Sequence, residues 1–127
     1  MLNYNEKLIE LFRNPQHTGE VENASGIGEV GNMKCGDVMK VSLKIENDKI
    51  KEIKFLTFGC VAAIASSEAL CRIAKDKSIE EAEKLTNQDI LNYVGEVPAL
   101  KVHCSVLGEE ALKSALKDYK QKNAKIN

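Results

Sequence analysis

Three cysteines sit at breaks in the chain's pattern, each with a second donor or a glycine beside it: Cys35-Gly36-Asp37, Gly59-Cys60 and His103-Cys104. Three soft thiolates with an imidazole and a carboxylate can complete a tetrahedral zinc shell or hold an iron-sulfur cluster. Cys60 and Cys104 each stand near the start of an expected helix, where unpaired N–H groups and the helix dipole favour a thiolate. A thiolate can ligate a metal or attack a persulfide sulfur, so one site could accept sulfur first and hold iron afterwards. Asp37 and His103 are poorer partners for iron sulfide than a thiolate, and a shell containing either releases its cargo more readily than four cysteines would. Gly36 and Gly59 are small enough for a cluster or a partner's reactive loop to come close.

These residues are far apart in sequence, so the elements between them must bring them together. Leu8, Ile9, Leu11 and Phe12 predict a short amphipathic helix over Tyr4 to Phe12, ended by Asn14-Pro15. The glycine-rich stretch that follows, with Gly19, Gly26, Gly28 and Gly31, reads as a mobile arm or a loosely held edge strand, and residues 1–34 are grouped on that basis. Val41, Leu43 and Ile45 alternate with polar residues, Asn47-Asp48-Lys49 makes a turn, and Ile53, Phe55 and Thr57 continue the alternation up to Gly59. A hairpin with nearly equal arms would carry Cys35, Asp37 and Cys60 to one edge. A helix from beside Cys60 through Ile73 comes next, then short helices near 79–85 and 87–94 from the capping-box spacings Ser78/Glu81 and Thr86/Asp89. Leu107, Ala111, Leu112, Ala115, Leu116 and Tyr119 form the apolar stripe of a long final helix, with His103 and Cys104 just ahead of it.

The 127 residues suit one domain, 1–127, and 18 basic against 19 acidic residues argue against a nucleic-acid partner held by charge. No apolar run is long enough for a membrane, and the start lacks the pattern of a signal peptide, which points to the cytoplasm and to free thiols. Cys71, inside an expected helix, reads as a small buried hydrophobe. His17 reads as an exposed loop residue and Glu109 as a solvated charge, while Lys101 reads either as a solvated charge or as an electrostatic partner of the site or of Asp37.

Met33-Lys34-Cys35-Gly36-Asp37-Val38-Met39-Lys40, Phe58-Gly59-Cys60 with Ala63-Ile64-Ala65-Ser66-Ser67, and Lys101-Val102-His103-Cys104-Ser105 resemble the U-type iron-sulfur cluster scaffolds, IscU and the N-terminal domain of NifU. Tyr4, Glu6-Lys7 and Phe12-Arg13-Asn14-Pro15 extend the resemblance over essentially the whole chain. It implies an α+β fold of the IscU/SufE-like type, with a small antiparallel sheet of about three strands packed against helices. It further implies a scaffold and carrier rather than an enzyme, on which a transient [2Fe-2S] cluster is built from iron and from sulfur supplied by a cysteine desulfurase, then passed to apo-proteins. The implied ligands are Cys35, Cys60 and Cys104, with His103 or Asp37 in the fourth position. Cys104 is the implied persulfide acceptor, and zinc would occupy the site when no cluster is present. A frataxin-like regulator, a ferredoxin and the oligomeric state are left open.

Two departures matter. The Leu-Pro-Pro-Val-Lys segment read by a dedicated Hsp70-type chaperone appears as Val97-Pro98-Ala99-Leu100-Lys101, which counts against chaperone-driven release, and Val61 stands where glycine is usual after the second cysteine. His103 and the absence of an inserted segment favour the IscU-like branch over the SufU branch. A persulfide carrier with a zinc site and no cluster assembly is the competing reading. A zinc enzyme ranks last, because no Cys-x-x-Cys pair accompanies a His-x-Glu or Cys-x-Glu motif.

Overall fold

Residues 6–32, 37–59, 61–95 and 103–126 are described by the computed structural model, with side chains omitted at 32, 37, 103–105 and 123–126. Strand β2 (Asp37–Glu46) and strand β3 (Lys49–Phe58) form the expected hairpin. The turn is tighter than the sequence suggested. Asn47 and Asp48 alone make it, with φ of 54° and 62°, the pair of left-handed residues whose twist suits antiparallel strands. Both strands run several residues beyond the alternating stretch, in a register from Val38↔Phe58 to Glu46↔Lys49 with one irregularity at Lys44/Ile45.

The glycine-rich segment contributes the third strand, β1 (Gly26–Asn32), antiparallel to β2, so the sheet order is β1-β2-β3. It is an edge strand, and close contact holds it to the last helix, α5 (His103–Ile126). A Cβ on Gly26 would collide with Ala115 O, and one on Gly28 would stand 2.5 Å from Ala111 O and 2.8 Å from Ser114 Cβ. Asp118 Oδ2 of α5 also accepts the Ile27 N–H at 2.9 Å, which occupies an outward-facing donor of the edge strand. Gly28→Ala therefore presses a methyl into helix backbone that cannot rotate away. We expect a loss of about 2 kcal/mol after the small gain from a stiffer unfolded chain, read as a lower urea midpoint. A variant as stable as wild type would mean that α5 slides freely along β1.

One face of the sheet carries the core. Met39, Val41, Leu43, Ile53 and Phe55 are buried against α2 (Val61–Ala74) and α5, because alternation sends every second side chain to one side. Most of α2 is buried alanine, serine and leucine, and its small side chains let neighbouring backbones approach. The predicted stripe of α5 is buried as expected at Leu107, Ala111, Leu112, Ala115 and Leu116. Between these helices, α3 (Ile79–Glu83) starts from a complete capping box between Ser78 and Glu81. At α4 (Asn87–Val94), Asp89 Oδ2 accepts the Thr86 N–H at 2.9 Å and the Thr86 hydroxyl at 3.3 Å.

The first helix, α1 (Glu6–Arg13), packs on α2. The chain then lies along the free edge of β3, where Phe55 N donates to His17 O at 2.8 Å and Gly19 N to Phe55 O at 2.9 Å. From there it crosses the face opposite the helices. Val21 N donates to Ser42 Oγ at 2.9 Å, and Lys40 Nζ reaches Glu20 at 2.7 Å. This cover explains why Ser42 is buried although it points away from the core. Among the described residues no helix is long and apolar enough to cross a membrane.

Candidate functional site

Asp37 opens β2, and Phe58, which closes β3, lies opposite Val38. Gly59 follows Phe58, residue 60 follows Gly59, and α2 begins at Val61. On the other side Asn32 pairs with Asp37, so the connection containing Cys35 leaves and re-enters the sheet at the same end. The hairpin thus brings the chain on either side of Cys35 and Cys60 to one edge, as its nearly equal arms require.

The third segment reaches that edge by helix geometry. Gly26 faces Ala115 and Tyr119, and Gly28 faces Ala111 and Ala115, so α5 steps back one turn for each two residues gained along β1. This match is expected, since four helical residues advance about 6 Å and two strand residues about 6.6 Å. Two further turns back put His103 level with Asn32, the partner of Asp37. Gly108 supports the count: a Cβ there would lie 3.9 Å from Met39 Sδ, and Met39 pairs with Val30. His103 and Cys104 are the first two residues of α5, where the sequence had them just ahead of the helix. Their backbone therefore lies in its first turn, among N–H groups that have no helical partner.

Cys35, Cys60, Lys101 and the Val97–Lys101 segment lie outside the described residues, as do the side chains of Asp37, His103 and Cys104. Among the described residues no three His, Cys, Asp or Glu side chains form a metal-binding group. The surroundings are open: Phe58 is 74% exposed, Gly59 is exposed, and Val106 in α5 is 36% exposed.

Cys71 is fully buried, and burial, with a further contribution from Glu68, pushes its thiol well above the usual range. That matches its reading as an inert core residue. Two other residues differ from expectation. Glu109 is a structural acceptor as well as a partner of Lys113, because its Oε1 takes the Asn87 N–H at 2.6 Å and ties the start of α4 to α5. His17 is only 16% exposed and belongs to a buried polar group centred on Glu68. Glu68 Oε1 accepts the N–H groups of Gln16 and His17 at 2.8 and 2.9 Å, and Oε2 meets His17 Nδ1 at 2.8 Å and Arg72 Nε at 2.7 Å. Burial alone would raise the Glu68 carboxyl, but the bonds from Arg72 and His17 outweigh it and hold the group below its ordinary value. The available signal was Glu68 with Arg72 one turn later, in a helix otherwise made of small and apolar residues.

A three-stranded antiparallel sheet with helices on one face and a long terminal helix define an α+β domain. Residues 3–126 match the NifU-like N terminal domain family. The chain is 45% identical over 124 residues to "Iron-sulfur cluster assembly scaffold protein IscU 1" of Archaeoglobus fulgidus, covering 98% of this chain and 81% of that protein. It is 44% identical over 125 residues to an IscU scaffold of Aquifex aeolicus, covering 97% and 80%. A crystal structure described as a putative iron-sulfur cluster assembly scaffold protein for the SUF system, from Fervidobacterium islandicum, superposes with a TM-score of 0.74 at 25% identity, covering 89% and 96%. This chain belongs to the NifU N-terminal family.

Proposed function

We propose that this protein is a scaffold on which a [2Fe-2S] cluster is assembled from iron and desulfurase-derived sulfur and from which it passes to apo-proteins. Membership of the NifU N-terminal family carries the reading, and the convergence of the Asp37, Gly59 and His103 backbones on one exposed edge supports it. The cluster is cargo. Cys35, Cys60 and Cys104 hold it, with His103 or Asp37 as the fourth and weaker donor. The whole chain, 1–127, acts as one unit in the cytoplasm, where a reducing poise keeps the thiols free.

Sulfur enters at Cys104. Its thiolate attacks the outer sulfur of the desulfurase persulfide, a new S–S bond forms on Cys104, and the desulfurase cysteine leaves as thiolate. That exchange moves a sulfur atom without net oxidation. Bringing each such sulfur to sulfide takes two electrons, which an external one-electron carrier of the ferredoxin class would deliver in two steps.

Anaerobic incubation with iron, cysteine and a desulfurase tests the reading, followed by absorption and Mössbauer spectra and by transfer to an apo-ferredoxin. A two-iron spectrum that decays as the ferredoxin gains its cluster is the expected result. A protein that takes up sulfur and zinc but no iron would instead be a persulfide carrier. A second prediction concerns lability. Asp37→Ala removes the hard oxygen donor, and cluster transfer should slow by about tenfold, the scale on which ligand surroundings tune metal sites. Transfer that is equal or faster counts against a role for Asp37.

A further inference from the structure

The turn from β3 to α2 is short. Only Gly59 and residue 60 separate the two elements, and both Phe58 and Gly59 are exposed. Beneath it, two hydroxyls join the flanking elements: Thr57 Oγ1 lies 2.7 Å from Ser67 Oγ, and Ser67 Oγ lies 2.8 Å from Ala63 O. The direction of this relay follows from chemistry. A carbonyl oxygen can only accept, so the single Ser67 proton goes to Ala63, and Thr57 must donate to Ser67. The relay ties the last core-facing residue of β3 to the first and second turns of α2, across the turn that contains Cys60.

Ser67 has no packing reason to be serine. It is fully buried in an alanine-rich helix, where alanine is the better helix former and a hydroxyl bonded back to the preceding turn brings no gain in helix stability. Its bond to Thr57 is what distinguishes it from an alanine.

We propose that Thr57 and Ser67 are positioning residues, whose hydroxyl relay sets the span between Thr57 and Val61 and thereby holds Cys60 in place to ligate. This rests on Cys60 being a ligand, as proposed above. Neither residue touches the cluster.

The test uses cobalt(II) alone as probe, added anaerobically to the metal-free full-length protein. Affinity is read by chelator competition and thiolate ligation by the cobalt–sulfur charge-transfer band. Thr57→Val keeps the shape of the side chain and removes the donor. It should weaken cobalt binding by about fivefold, as expected for one lost hydrogen bond. Thr57→Ser should restore wild-type affinity. Cys71→Ala, which removes packing elsewhere on α2, should lower the thermal midpoint and leave the affinity unchanged. Wild-type affinity and spectrum in Thr57→Val would overturn the proposal. A Thr57→Ser protein as weak as Thr57→Val would also overturn it, because the methyl and not the hydroxyl would then be the cause. A Cys60→Ser protein indistinguishable from wild type would bring down the ligand assignment itself, and the relay's role with it.

Discussion

Glu68→Ala is expected to cost about 3–5 kcal/mol of folding stability, the range seen when one partner of a buried charged pair is removed. The carboxylate has no exposure. It accepts from two backbone N–H groups, the His17 ring and the Arg72 guanidinium. Alanine leaves all four donors without an acceptor, and each unsatisfied buried group carries its own desolvation cost. The damage should spread to α1, because Arg72 also reaches Glu10 at 3.3 Å and the Asn14 carbonyl at 3.2 Å. Urea unfolding measures the effect, and a loss below about 1 kcal/mol would show that water replaces the carboxylate.

The same group sets a pH dependence. Its folded value lies below the ordinary one of 4.5, so the native state holds the carboxylate form more firmly than the unfolded chain does. Its contribution is fully present above the unfolded value and is lost as pH falls through the folded one. Wild type should therefore lose stability more steeply than Glu68→Gln as pH falls below about 4.5. Parallel acid profiles would rule Glu68 out as the source.

The second large effect concerns chemistry. On the proposed reading, Cys104→Ser should abolish sulfur uptake from the desulfurase, because a serine hydroxyl at neutral pH does not open a persulfide. Cys71 cannot substitute. It is fully buried and its thiol is shifted strongly away from the reactive thiolate, whereas Cys104 lies in the first turn of α5, where N–H groups without a partner inside the helix and the helix dipole favour an anion. Intact mass after incubation with desulfurase and cysteine is the readout. A full sulfur adduct on the serine variant would move the acceptor role to Cys35 or Cys60.

Local chemistry determined much of this protein. The alternation of Val41, Leu43 and Ile45 with polar neighbours, two residues able to adopt positive φ at Asn47 and Asp48, and the Ser78/Glu81 spacing are short-range signals. Each acts within a few residues, so the hairpin, the short helices and the stripe of α5 were legible without coordinates. The motifs around Cys35, Cys60 and His103-Cys104 placed the chain in its family for a similar reason, since they are compositional and ordered.

Tertiary structure decided what depends on partners far along the chain. His17 read as an exposed loop residue because nothing near it in sequence indicates Glu68, 51 positions away. Gly26 and Gly28 read as part of a mobile arm or a loosely held edge strand; the edge strand is what forms, and their missing side chains are what let α5 lie tightly against it. That contact also fixes the pitch at which α5 runs back along β1, and so the level at which the helix starts relative to Asn32. Periodicity records which face a residue belongs to, whereas the choice of neighbour is made only when backbones pack at van der Waals distance.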